Sequence, residues 1–148
     1  MSYLKILDFL TPVDDNFITE VVNNNTLCLG NEILIHTQKK AFPELQNIKI
    51  ALFGVEEDRN AIENDGSGDN IDFIRKKLYK LYPGKWHHRI ADLGSVQKGN
   101  TPEDTYFAVS EIVTFLLKKQ IIPIILGGGQ ELTFANYHAY SSLEQTVN

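Results

Sequence analysis

The sequence predicts an α/β fold, in which a mainly parallel sheet is covered by helices on both faces. From residue 48 onward, short apolar runs rich in branched side chains alternate with amphipathic segments. Such runs are typical of strands that are buried on both sides, and a strand–helix–strand connection is almost always a right-handed crossover. We therefore expect residues 48–148 to form the main α/β unit, with residues 1–47 as an irregular amino-terminal segment packed on its core.

Composition limits the classes of function. The chain has 148 residues, 43% of them hydrophobic, which is enough for a single domain with a core. Its charge of −5 and dispersed basic residues argue against a nucleic acid partner, because phosphates are bound by clustered Lys and Arg. Residues 1–5 lack the pattern of a secretory signal, and no run approaches the roughly 18 apolar residues of a membrane span. We expect a cytoplasmic protein with no membrane contact.

The elements follow from local patterns. In the amino-terminal segment, residues 14–24 predict a helix, residues 23–25 a turn and residues 32–37 a short strand. Residues 48–55 predict the first core strand, and the acidic and glycine-rich residues 56–69 predict a long loop at its carboxyl end. A helix is predicted over residues 70–82, with a buried stripe of Ile71, Ile74, Leu78 and Leu81 and a polar side of Arg75, Lys76, Lys77 and Lys80.

The second half of the unit contains the clearest helix. Residues 86–93 predict a strand, and a helix follows at Thr101, which can cap the free amides ahead of Pro102. Residues 121–126 predict the last strand, and a third helix is expected to begin near Gln130 or Glu131 and to continue to about residue 141.

Three glycines join this last strand to the third helix. Gly127, Gly128 and Gly129 allow a sharp turn and a close approach to a ligand or to a neighbouring strand. The free amides of the next helix could hold an anion, so a phosphate-binding module is one interpretation. Tight packing of the helix on the strand is the other, and a glycine turn alone does not separate the two.

Four short motifs follow one another from the first core strand to the glycine turn. They are Gly54-Val55-Glu56-Glu57-Asp58, Ile74-Arg75 before Leu78, Asp92-Leu93-Gly94-Ser95-Val96, and Pro123 four residues before Gly127-Gly128. Over about residues 48–140 the sequence thus resembles the metal-dependent ureohydrolases (arginase, agmatinase and formimidoylglutamase), with formimidoylglutamase nearest. The corresponding patterns of that superfamily are Gly-Val-Pro-x-Asp, Ile-Arg before a Leu, Asp-x-Gly-Asp-Val and Pro-x-x-x-Gly-Gly.

The resemblance implies a three-layer α/β/α fold of the arginase type, of which we expect only the amino-terminal part here. It also implies hydrolysis of a carbon–nitrogen bond in a guanidino or formimino compound by a pair of manganese ions. The family pattern Gly-Gly-Asp-His-Ser places a metal-ligand His where this chain has Gln130, a weaker and uncharged donor. The other ligand motifs of the family lie on later strands that this chain does not contain, so we expect no tight manganese binding by this chain alone.

The candidate site residues on the sequence are those that end strands or form the glycine turn. They are Asp58, Asp92, Gly127, Gly128, Gly129 and Glu131, with Gln130 at the metal position. Capping of loops is the alternative role for the two aspartates. The chain is therefore either part of a ureohydrolase that is inactive by itself, or a non-catalytic relative that binds a small amidine or guanidine or serves in assembly. We also expect an unpaired sheet edge and a homo-oligomer.

Overall fold

A computed structural model describes residues 6–22, 27–85 and 89–143. Within these ranges the structure has four α-helices with assigned bounds, a short 3-10 helix (Leu29–Asn31) and four strands, and from residue 48 onward strands and helices alternate. The helices are α1 (Asp15–Val22), α2 (Ile71–Tyr79), α3 (Pro102–Lys118) and α4 (Leu132–Ser142). The strands are β1 (Leu34–Ile35), β2 (Ile48–Val55), β3 (Arg89–Val96) and β4 (Ile122–Leu126).

The strands form one parallel sheet in the order β1, β3, β2, β4. Side chains alternate across β2: Leu52 packs with α1 and α2, whereas Ala51 and Phe53 pack with α3 and α4. Two cores result, one on each face of the sheet, as expected when helical crossovers connect parallel strands. The predicted α/β fold with helices on both faces is confirmed.

Most predicted elements are present, with shifted ends. The cap at Thr101 is confirmed: its side chain accepts a hydrogen bond from the Asp104 amide, and the Asp104 carboxylate accepts one from the Thr101 amide. The strand predicted over residues 86–93 begins in the described part at Arg89, and its first three residues lie outside the described ranges. So does the turn predicted over residues 23–25. The amino-terminal segment contributes β1 to the sheet, and the division of the chain at residue 47 stays a prediction.

The prediction for the two sides of α2 is wrong at Arg75 and Leu81. Arg75 is 2% exposed and lies in the buried row with Ile71 and Tyr79, whereas Leu81 is 56% exposed beyond the end of the helix. The spacing of four residues between Ile71, Arg75 and Tyr79 places them on one side of the helix. Hydrophobic periodicity misassigned Arg75 because it treats every charged residue as solvent-facing.

Arg75 is buried because it meets a buried acid on the adjacent strand. Its guanidinium donates to the Asp92 carboxylate at 2.9 and 3.0 Å, to the Gly94 carbonyl at 2.7 Å and to the Ser95 hydroxyl at 2.9 Å. The Tyr79 hydroxyl donates to the same carboxylate at 2.7 Å. Burial, with the negative charge of Asp92, raises the pKa of Tyr79 far above its usual value, so the phenol keeps the proton that it donates.

β4 lies at an edge of the sheet. Among the described residues it pairs only with β2, and Ile122 and Ile124 are 59% and 40% exposed. This arrangement matches the expected unpaired edge, and the homo-oligomer stays a prediction. None of the helices in the described ranges combines the length and the hydrophobicity of a membrane span.

We predict that Asp92→Asn destabilises the protein by about 3–5 kcal/mol, because it leaves the buried Arg75 guanidinium without its counter-charge. The free energy of unfolding in urea measures the effect. Glu20→Gln is the control: it breaks an ion pair with Lys76 at the surface, and we expect little change. Equal and small effects of the two substitutions would contradict the central role of the buried pair.

Candidate functional site

The carboxyl ends of the parallel strands β2, β3 and β4 meet at one edge of the sheet. The segments that follow them are residues 56–70, 97–101 and 127–131. In open α/β sheets, ligands bind in the crevice outside these strand ends. The side chains of the three segments are therefore the first candidates for a functional site.

Glu57 is a buried acid that connects the loops at this edge. Its side chain is fully buried, and its carboxylate accepts hydrogen bonds from Arg59 Nε at 2.9 Å, Arg59 Nη2 at 2.6 Å and the Thr105 hydroxyl at 2.8 Å. The two-point hydrogen bonding by Arg59 lowers the pKa of Glu57 to about 2. Arg59 also donates to the carbonyls of Gly99 and Asn100, at 3.0 and 3.1 Å, so the pair ties the loop after β2 to the loop after β3.

Asp58 makes a second link between the same loops. Its carboxylate accepts a hydrogen bond from Lys98 Nζ at 2.5 Å and from the amides of Gly66 and Gly68 at 3.1 and 3.2 Å. The bond to Lys98 lowers the pKa of Asp58 and raises that of Lys98. Asp58 thus lies at the strand ends, where the sequence places it, with both oxygens engaged inside the loop network.

Asp92 lies deeper than the other candidate residues. It is fully buried, and its carboxylate is bound by Arg75, Tyr79 and the Gly94 amide. Asp92 is the fourth residue of β3 (Arg89–Val96), so the prediction that it ends its strand is wrong. Its contacts join β3 to α2. Its observed contacts are those of a structural ion pair.

The glycine turn docks on the loop that follows β2. Gly127 and Gly128 have φ angles of 74° and 78°, which side chains other than glycine rarely adopt. The Gly128 amide donates to the Ser67 carbonyl at 3.2 Å, and the Gly129 amide donates to the Glu57 carbonyl at 2.9 Å. Two of the amides that a phosphate-binding module would use are therefore already bound within the protein.

The end of the turn contains unpaired polar groups. Gln130 is exposed, and Glu131 directly precedes α4 without capping it. Three buried oxygens have no hydrogen-bond partner in the described structure: Ser67 Oγ, Glu131 Oε1 and Asn136 Oδ1. A cavity of about 300 Å³ lies here between β4 and α4, lined by Gly127, Gly129, Thr133 and Asn136 among others. Buried side-chain oxygens are usually hydrogen-bonded, which sets these three apart from the other buried polar groups of the described residues.

The described residues do not by themselves fit a manganese pair. Within residues 6–22, 27–85 and 89–143, no three His, Cys, Asp or Glu side chains are grouped closely enough to hold a metal ion. Gln130 brings one neutral oxygen to the surface, and the nearest acid in sequence is Glu131. Divalent manganese in proteins favours several carboxylate oxygens, which this turn does not provide.

The strand-end edge also contains four side chains that the sequence analysis does not predict as site residues: Glu57, Arg59, Lys98 and Thr105. Glu57 and Arg59 stand two residues apart just after a strand, which is a spacing that lets an acid and a base meet across a turn. That signal was available from the sequence. Thr105 is 48 residues from its partner Glu57, and Lys98 is 40 residues from its partner Asp58, so only the fold brings them near.

We predict a pH-dependent contribution from Glu57. Its pKa falls from 4.5 to about 2 on folding, so its stabilising effect is complete above about pH 4.5 and is lost as the pH falls through 2. In Glu57→Gln this dependence is absent, so the difference in free energy of unfolding from the wild type should grow from pH 2 to pH 4.5. Glu44→Gln, at an exposed site, should follow the wild type throughout. A constant difference between Glu57→Gln and wild type across this range would contradict the assignment.

Comparisons with known proteins agree with the motif order. The chain is 31% identical over 98 residues to the formimidoylglutamase of Photorhabdus laumondii, a match that covers 64% of this chain and 31% of that protein. The formiminoglutamase of Trypanosoma cruzi, crystallised with Mn²⁺, superposes with a TM-score of 0.61 at 18% identity, over 67% of this chain and 37% of that one.

A further solved structure gives the same result. The formimidoylglutamase of Bacillus subtilis superposes with a TM-score of 0.59 at 22% identity, over 72% of this chain and 36% of that one. No protein-family model matches the chain. The predicted arginase-like fold is confirmed by the solved structures, and the predicted resemblance to the ureohydrolase superfamily is confirmed by the sequence similarity to a formimidoylglutamase. The chain spans about a third of the length of these similar proteins.

Proposed function

We propose that this chain is part of a ureohydrolase-type enzyme that hydrolyses a carbon–nitrogen bond of a formimino or guanidino compound, and that the chain by itself is inactive. The observation that carries the proposal is the sequence identity of 31% over 98 residues with a formimidoylglutamase. The arrangement of the strand ends supports it, because loops fixed at this edge are where α/β enzymes build their sites. A cytoplasmic location belongs to the same proposal.

In this proposal the residues of the chain prepare one side of the site. The Glu57–Arg59 and Asp58–Lys98 pairs hold the loops after β2 and β3 together, and Glu57 also accepts the Gly129 amide through its carbonyl. The turn therefore has a fixed position before any ligand binds, which reduces the entropy lost on binding. Manganese would need ligands from outside the described residues, and Gln130 would be at most a weak neutral donor to it.

A non-catalytic relative is the second candidate. It is favoured by one observation: the turn has Gln130 and Gly129 where the family pattern has a metal-ligand His and an Asp. Such a protein would use the cavity beside the glycine turn to bind a small amidine or guanidine, or would keep the fold for assembly.

We predict that the 148-residue chain with added Mn²⁺ releases no formamide, urea or ammonia from formimidoylglutamate, arginine or agmatine. The physical reason is that a two-metal site needs several carboxylate ligands, and the described residues contain no group of three donors. Product release is measured at protein concentrations that would reveal even slow turnover. Sustained, Mn²⁺-dependent release would show that this chain alone forms an active site.

The mass of the polypeptide made by the native source separates the two candidates. We expect a polypeptide substantially heavier than the 16.8 kDa of this chain, carrying further metal ligands. Intact-mass spectrometry after capture with an antibody to the chain is the measurement. A native mass of 16.8 kDa would remove the enzyme proposal and leave the non-catalytic relative.

A further inference from the structure

An apolar groove lies between α3 and α4, on the face of the sheet opposite α2. It has a volume of about 300 Å³, and its lining includes Phe107 and Phe134, which are 59% and 68% exposed. Glu103 and Glu111 also line it and form no ion pair with the described residues. The groove therefore combines an apolar floor with free negative charge.

α4 is apolar on two sides. Leu132, Ala135 and Ala139 are buried against the core, whereas Phe134 and Tyr137 are 68% and 53% exposed. A helix that packs on one core alone needs one apolar side, with polar residues opposite. Aromatic side chains exposed together on neighbouring helices are typical of an interaction surface.

The opposite face of the sheet carries a surface of complementary character. On α2, Phe73 is 61% exposed, and Lys77 Nζ lies 5.2 Å from the centre of its ring. Lys80 and Leu81 are exposed at the end of the helix. We call these four residues the α2 surface. It contains large apolar side chains beside positive charge, whereas the α3–α4 groove contains large apolar side chains beside negative charge.

We propose that the α2 surface of one copy of this chain docks into the α3–α4 groove of a second copy. Phe73 would pack beside Phe134, and Lys77 would face Glu111. The charges favour a second copy of this chain as the occupant, because Lys77 and Lys80 of the α2 surface are complementary to the Glu103 and Glu111 carboxylates of the groove. Such complementarity disfavours other orientations and other partners. The proposal concerns the 148-residue chain and uses no part of the proposed chemistry.

The geometry makes the association head-to-tail. α2 packs with one core and α3 and α4 with the other, so the two surfaces lie on opposite faces of the sheet. One copy can then use its groove and its α2 surface at the same time, and a contact of this type extends into rings or open chains. The contact is small, so we expect weak association, detectable between about 10 μM and 1 mM.

The first experiment measures the weight-average mass of the 148-residue chain by sedimentation equilibrium over that concentration range. We expect a rise with concentration to values above the dimer and a smaller rise at high salt. Phe73→Ser and Phe134→Ser remove one surface each, and both sites are exposed, so the fold is retained. Each variant alone should associate about tenfold more weakly or worse.

A mixture of the two variants gives the sharper test. The intact α2 surface of Phe134→Ser fits the intact groove of Phe73→Ser, so an equimolar mixture should form dimers and nothing larger. In the same way Lys77→Glu should weaken association, and the double variant Lys77→Glu, Glu111→Lys should restore it. Dimers in the mixture together with this restoration support the proposal.

The exposed β4 edge provides the matched control, since Ile124→Lys introduces charge there without touching either surface. We expect this variant to associate like the wild type. Loss of association in Ile124→Lys alone would assign the contact to the sheet edge and overturn the proposal. A wild-type chain that stays monomeric up to 1 mM, or a mixture of the Phe variants that stays monomeric, would overturn it as well.

Discussion

The ion pair between Arg75 and Asp92 is the interaction on which the architecture of this chain depends. Both side chains are buried, at 2% and 0% exposure, so each charge is tolerated only because the other is present. The pair fastens α2 to β3, and through the Gly94 carbonyl and the Ser95 hydroxyl it also fixes the end of that strand. The position of the loop that follows β3 is therefore set from inside the protein.

The strand-end edge is organised in the same way, by charged groups that bind backbone as well as each other. Arg59 neutralises Glu57 and at the same time holds two carbonyls of the loop after β3, while Asp58 binds Lys98 and two amides of its own loop. The charged groups of this network are all engaged in fixing the positions of the loops. What remains open is the glycine turn, where Gln130 is exposed and three nearby oxygens lack partners among the described residues.

That contrast separates the fold of this chain from its chemistry. The chain is similar in sequence to one formimidoylglutamase and in fold to the solved formiminoglutamase of T. cruzi, and it spans about a third of their length. What the solved structures share with this chain is the fold. A two-metal hydrolase needs in addition a set of convergent ligands, and one neutral side chain at the turn is not such a set.

The sequence by itself determined the α/β class, the order of strands and helices, the capping box at Thr101 and the glycine turn, because each depends on short-range periodicity or on local backbone geometry. It also showed that Gln130 replaces the expected His. Only the tertiary structure decided that Arg75 is buried, that Leu81 is exposed, and that Glu57 meets Thr105 across 48 residues. Those outcomes depend on which partner a side chain meets after the sheet has formed, and a pattern along the chain carries no record of partners that are distant in sequence.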